Sequence, residues 1–252
     1  MNFFNKYKEK ISNISLNTID KNTILTNDFL IEHTNNLNIY YAPHNEYQNK
    51  KAKIVIVGIC PGWQQTKRAY ETAKEGLDKK LSNEEILKNC KLAARFAGSM
   101  RINITTMLDE LGLNKLYHIE TTKDLFEDNE LLHTTSVIPY PVFIQGKNYT
   151  GHEPKITESE VLMKYVSTHF FTEISVFKNA LIIPLGKAVE EVLSEMVKTS
   201  LIKEEQCLFG FPHPSGANGH RKKQFQENKE ALQQKIVNFL NTQQSNKMAT
   251  IK

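Results

Sequence analysis

The stretch that most constrains this chain is KAKIVIVGICPGWQQ, residues 51–65. Ile54 to Gly58 form a near-continuous apolar run rich in β-branched residues. A strand with one wet face alternates apolar and polar side chains. A strand that is apolar throughout must be covered on both faces, which is the condition of a parallel sheet with helices above and below it. Similar runs recur at 131–140 (LLHTTSVIPY), 179–186 (NALIIPLG) and 206–212 (QCLFGFP). Helical periodicity fills the gaps, at 83–96, 104–113, 158–174 and 187–197, and closes the chain at 224–240, where Phe225, Leu232, Ile236 and Phe239 or Leu240 share a face.

Strands alternating with helices predict an α/β domain over 51–242, a three-layer α/β/α sandwich around a short four-stranded parallel sheet. Residues 1–50 read as an N-terminal extension packed on this core, with short helices at KYKEKISNI (6–14) and around NDFLIEH (27–33). Residues 243–252 read as a C-terminal tail.

Composition narrows the functional classes. With 40% apolar and 24% charged residues, the chain has material for an ordinary core. Its net charge of +4 permits a polyanionic partner without requiring one. Three cysteines, Cys60, Cys90 and Cys207, without CxxC spacing, argue against a disulfide framework, a zinc ribbon or an iron–sulfur cluster. A reducing cytoplasm is the expected compartment. The N-terminus has no long apolar stretch, and no run is long enough to cross a bilayer.

In a parallel sheet of this kind, ligands bind outside the carboxyl ends of the strands. Two unusual loops leave strands at that edge: GICPGWQQT (58–66) and PHPSGANGHR (212–221). Their convergence on one site is the natural expectation. In the first, Gly58 and Gly62 bracket Pro61, giving a stiff loop that can present N–H groups to a planar or anionic ligand, or simply a tight strand-to-helix turn. Cys60 sits where a thiol near a helix N-terminus can become a nucleophile. Its glycine and proline neighbours equally suit a residue that is merely small, and Arg68 is too distant for the short Cys-to-Arg loop of a cysteine phosphatase.

In the second loop, Pro212 and Pro214 bias their neighbours to extended backbone and hold His213 in place. Ser215 can bind a phosphate oxygen through its hydroxyl and N–H. The helix that follows adds its positive end. His220, Arg221, Lys222 and Lys223 supply attraction to a phosphate backbone, or else form a solvated helix start. Cations at a helix N-terminus oppose the macrodipole unless an anion is present.

Taken together these residues resemble the uracil-DNA glycosylase superfamily. That family carries a Gly-x-x-Pro-Gly-type loop after its first strand and a His-Pro-Ser motif after its last. Here they are GICPG at 58–62 and HPS at 213–215. FAGSMRINITTMLDELGL (96–113) is similar to the family's Phe-x-Gly segment and helix, and ALIIPLGKAVEEVL (180–193) to its strand, Leu-Gly turn and helix. The resemblance runs from about residue 50 to 240, in order.

It implies hydrolysis of the N-glycosidic bond of a base flipped out of DNA, with DNA as the partner and no metal or cofactor; a monomer is the expected state. His213 would stabilise the departing base, and Phe96 would stack on it. Gly58, Ile59, Pro61, Gly62, Trp63, Gln64 and Ser136 would line its pocket. Ser215, Gly216, Asn218, His220, Arg221 and Lys222 would contact phosphate, with His220 also a candidate for the wedge because Ala217 is small.

Three departures shape the expected substrate. No carboxylate occupies the first loop to position water, leaving Glu71 and Asp109 as candidates. Ser136 stands where the family reads uracil with an Asn, and a hydroxyl cannot offer an amide's paired donor and acceptor. Gly62 leaves open a space that some members fill with an aromatic. Together they point to a damaged or modified base, such as a 5-substituted pyrimidine, met in DNA repair or in defence against modified foreign DNA. A catalytically weak DNA- or nucleotide-binding module of the same fold is the alternative, and a cysteine hydrolase acting through Cys60 a third reading.

Overall fold

A computed structural model describes residues 3–34, 36–127 and 130–250, with side chains as far as residue 243. The N-terminal part holds helices α1 (Phe4–Ser12) and α2 (Lys21–Ile24) and strands β1 (Leu30–Thr34) and β2 (Leu37–Tyr40). The central strand β3 (Ile54–Gly58) leads into α3 (Trp63–Asp78), α4 (Asn83–Ala94), α5 (Ser99–Glu110) and α6 (Leu113–Leu116). Strand β4 (Leu132–Ser136) is followed by the hairpin β5 (Val142–Ile144) and β6 (Lys147–Asn148). Then come α7 (Glu160–Tyr165), α8 (Phe171–Ile174), β7 (Leu181–Pro184), α9 (Lys187–Lys198) and α10 (Arg221–Thr250).

The parallel sheet has the order β4-β3-β7, with Ile54 opposite both Leu132 and Leu181. Its apolar run is buried on both faces, as its composition demands. Val55 and Val57 point into one core cluster with Ala69, Tyr70 and Ala73 of α3 and Val189 and Val192 of α9. Ile54 and Ile56 point into the other, with Ile104 and Leu108 of α5 and Phe225, Leu232, Ile236 and Phe239 of α10. A buried Ile side chain contributes roughly 1.5–3 kcal/mol over an exposed one, so this double coverage fixes the strand's place.

The expected fourth strand is reduced to a bridge. Cys207 pairs with Ile182, and the Leu208 N–H donates to the Ile182 carbonyl at 2.8 Å. The Phe209 N–H then turns back to the Cys207 carbonyl, and Gly210 takes φ +101°, so the chain leaves the sheet after one step. A second sheet, antiparallel with the order β1-β2-β5-β6, was not anticipated. Residues 30–34, inside the stretch read as a short helix, form its edge strand, paired to β2 from Leu30↔Tyr40 to Thr34↔Leu37. Five residues closed by pairing with a neighbour give too short a window for helical periodicity to win. The N-terminal segment thus shares a sheet with residues 142–148. Helix α10 runs on to Thr250 through most of the stretch expected to be a tail.

The polar residues of β4 are buried by pairing. His133 Nε2 and Glu173 Oε1 lie 2.7 Å apart, the Thr135 hydroxyl donates to Glu173 at 2.8 Å, and Lys91 Nζ donates to the Thr134 carbonyl and to Asn45, each at 2.7 Å. Among the described residues no helix is long and apolar enough to cross a membrane.

Candidate active site

The two loops singled out in the sequence both lie at the carboxyl edge of the sheet, the first beyond β3 and the second against the turn after β7. Beyond β3, the Gly58 and Ile59 carbonyls accept from Val137 and Ile138 at 2.9 and 3.0 Å, so the first loop leaves the sheet alongside β4. On the other side, the Leu185 N–H donates to the Val57 carbonyl at 2.9 Å. Gly186 then turns with φ +88°, and its N–H donates to Phe211 at 3.1 Å. A Cβ on Gly186 would fall 2.8 Å from the His213 Cβ. The glycine is therefore required twice, by its left-handed backbone and by the closeness of the histidine.

A third segment joins them. Gly151 has φ +89°, and a Cβ there would lie 2.8 Å from Ala188 Cβ and 3.1 Å from Ile59 Cδ1. Its neighbour His152 is exposed and lies near enough for its charge to act on His213.

His213 is partly exposed at this junction. The Ser215 N–H donates to His213 Nδ1 at 3.3 Å. An Nδ1 that accepts carries no proton, so the neutral ring holds its proton on Nε2. Burial, and after it the charge of His152, pushes the imidazole down to about 4. The ring is neutral at pH 7 and offers one N–H donor.

The rest of the last loop is braced from within. Asn218 Nδ2 donates to the His213 carbonyl at 3.1 Å and to Gln224 at 3.0 Å, while its Oδ1 accepts the His220 N–H at 3.2 Å. Arg221 donates to the Ser215 carbonyl at 2.8 Å and the Pro214 carbonyl at 3.4 Å. Both side chains were expected at phosphate; each is engaged in holding the loop. The Ser215 N–H, also expected there, holds the histidine, and Ser215 Oγ accepts from Ala217 at 3.1 Å, leaving the hydroxyl proton as its donor. Gly216, His220 and Lys222 are exposed.

The first loop shows the same economy. The Gly62 N–H is taken by Gln65 Oε1 at 3.2 Å and the Trp63 N–H by Asn148 Oδ1 at 3.1 Å, so neither is presented to a ligand. Asn148 arrives from the β5–β6 hairpin, whose turn residues Gln145 and Gly146 both have positive φ. Its Nδ2 lies 3.5 Å from where a Gly62 Cβ would sit, so an amide borders the space expected to be open. Pro61 is buried, Trp63 packs partly against the core, and Gln64 is exposed.

Below them, a Cβ on Gly58 would meet the Phe96 ring at 3.1 Å and Ser136 Oγ at 3.6 Å, which makes these three a floor. Phe96, held at φ +47°, is only 4% exposed and offers little ring surface for stacking.

Part of Cys60 reaches the surface, but burial pushes its thiol up to about 12, which is unsuited to a nucleophile at neutral pH. Of the carboxylates considered for water activation, Asp109 is committed elsewhere and Glu71 is only loosely paired. Asp109 accepts from the Thr121 hydroxyl at 2.6 Å and the Thr122 N–H at 2.7 Å. Glu71 lies 3.9 Å from Lys67 and 3.6 Å from Arg68. Among the described residues no group of three or more His, Cys, Asp or Glu could hold a metal ion.

Residues 44–240 match the Uracil DNA glycosylase superfamily. The chain belongs to that superfamily. It is also 50% identical over 224 residues, 88% of each chain, to the Bacillus subtilis (strain 168) protein described as "Uncharacterized protein YoxB". No solved structure matches. Members of the superfamily are typically DNA glycosylases. Asn148, Gly151 and His152 belong to the site by position and were missed in the sequence, although the turn-rich NYTGHEP at 148–154 carried a signal.

Proposed function

We propose that this superfamily member is a DNA glycosylase that removes a modified base flipped into the space between Gly58, Gly62 and His213. The observation that carries the reading is the neutral imidazole of His213, with Nδ1 fixed by the Ser215 N–H and the proton therefore on Nε2. As the C1′–N bond breaks, both bonding electrons leave with the base, and Nε2–H donates to the oxygen on which that charge gathers. Such a preorganised donor is worth roughly 10²–10³ in rate. Water then adds at the cationic C1′ and gives up a proton, leaving free base and an abasic sugar.

The proposed substrate rests on the residues around this site. Ser136 at the floor lacks the amide that matches a uracil edge, and the Asn148 amide lies beside Gly62, where it would meet a bound base from another side. This arrangement favours a pyrimidine carrying a 5-substituent, encountered in repair or in modified foreign DNA. The test is incubation with duplexes bearing uracil, 5-hydroxymethyluracil or modified cytosines, followed by alkali. Strand breaks are expected with at least one modified base and to exceed those with uracil; no breaks with any duplex overturns the reading.

The commitment of Asp109 to Thr121 and Thr122 favours a second reading, a DNA-binding module that does not hydrolyse. Tight binding to an abasic site without base release from any duplex would establish it.

A further inference from the structure

We propose that Ile102 is the side chain that enters the base stack when the target nucleotide leaves it, an inference resting on the glycosylase reading above. Ile102 is 62% exposed, more than any other large apolar side chain exposed among the described residues. A single exposed isoleucine is ordinary; its position here is not. It lies in the first turn of α5, and its neighbour Asn103 donates through Nδ2 to the Pro214 carbonyl at 2.8 Å. Arg221 reaches that same carbonyl at 3.4 Å. The first turn of α5 is thereby bound to the His-Pro-Ser loop and to the start of α10, where His220, Lys222 and Lys223 are exposed.

The backbone leaves Ile102 no inward place. Phe96 at φ +47° and Gly98 at φ +87° bring the chain from the floor of the site into α5. Ile104, Thr105, Met107 and Leu108 then fill the buried face, Met100 packs against the same cluster, and Arg101 is tied to the Arg95 carbonyl at 2.8 Å. An apolar side chain flanked by cations suits a duplex: the cations meet phosphate, and the wedge fills the gap left between base steps. Between Ser215 and His220 the last loop carries only Gly216, Ala217, Asn218 and Gly219, with Asn218 bonded inward, so it offers no apolar wedge; His220, the side chain considered for that role, is exposed but polar.

The test compares wild type with Ile102→Ala and Ile102→Leu on one oligonucleotide carrying a base that wild type releases, presented as duplex and as single strand. Folding of each variant is checked by circular dichroism. The ratio of duplex to single-strand single-turnover rates should fall roughly 10- to 100-fold in Ile102→Ala, the order expected when an unstacked step is left unfilled. Ile102→Leu should restore it. A 2-aminopurine placed beside the target should brighten on binding wild type and much less with Ile102→Ala. An unchanged ratio in Ile102→Ala with wild type active overturns the wedge alone, as does an equal loss on both substrates. A wild type that releases no base from either form overturns the glycosylase reading and this inference with it.

Discussion

The Ser215 N–H and His213 Nδ1 are joined across two residues at 3.3 Å, and this bond fixes which ring nitrogen carries the proton. The motif thus has an internal logic: the serine's backbone orients the histidine while its hydroxyl accepts from Ala217 and keeps its own proton to donate.

A pH profile follows. With the folded pKa pushed down to about 4, the acid limb of kcat/KM should fall near pH 4 and the profile should be flat between pH 6 and 8. Stability moves in the same direction. Unfolding releases the imidazole to an ordinary pKa near 6.5, so below that value the unfolded state binds more protons. The contribution from His213 is complete above about 6.5 and is lost as pH falls toward 4. Thermal melts of wild type and His213→Asn should converge across that window. An acid limb near 6.5 contradicts the neutral ring.

Gly186→Ala should impair folding and activity together. It places a methyl 2.8 Å from His213 Cβ at a backbone φ of +88°. The strain should cost about 1–3 kcal/mol, with displacement of the histidine lowering kcat further. Denaturant titration and single-turnover rates check both; wild-type values in each would show that the turn does not seat the histidine.

Cys60→Ala should leave base excision within about threefold of wild type, since a thiol pushed up to about 12 holds almost no thiolate at pH 7. Iodoacetamide should leave the activity intact. Loss of activity in Cys60→Ala with retention in His213→Ala would restore the cysteine mechanism.

The sheet's centre was legible because every position of Ile54–Val57 is apolar, and only two-sided burial accounts for that. The same signal misled at 206–212. An apolar run does not reveal that Gly210 will take φ +101° and carry the chain off the sheet. His213 stood out in the sequence because two prolines isolate it. The roles of Asn218 and Arg221 were not, because a polar side chain that braces a loop and one that grips phosphate have the same composition. Asn148 was hidden by distance: it meets Trp63 85 residues away through a hairpin that no local pattern connects to the first loop.

Phosphate contact should fall mainly to Lys222 and Lys223, both exposed, with Lys223 only loosely paired to Glu227 at 3.8 Å. Replacing both with Ala should weaken binding to all sequences alike and reduce the slope of log K against log salt by about 2. Arg221→Ala should act differently, lowering kcat through the loosened loop. An unchanged salt slope in the double variant contradicts the assignment.

The most direct measurement is mass spectrometry of the base released from modified duplex DNA by wild type and by His213→Ala. Wild type should yield free base and abasic strand in equal amounts, and His213→Ala should do so roughly 10²–10³-fold more slowly with DNA affinity retained. Free base released by His213→Ala at the wild-type rate would contradict the account.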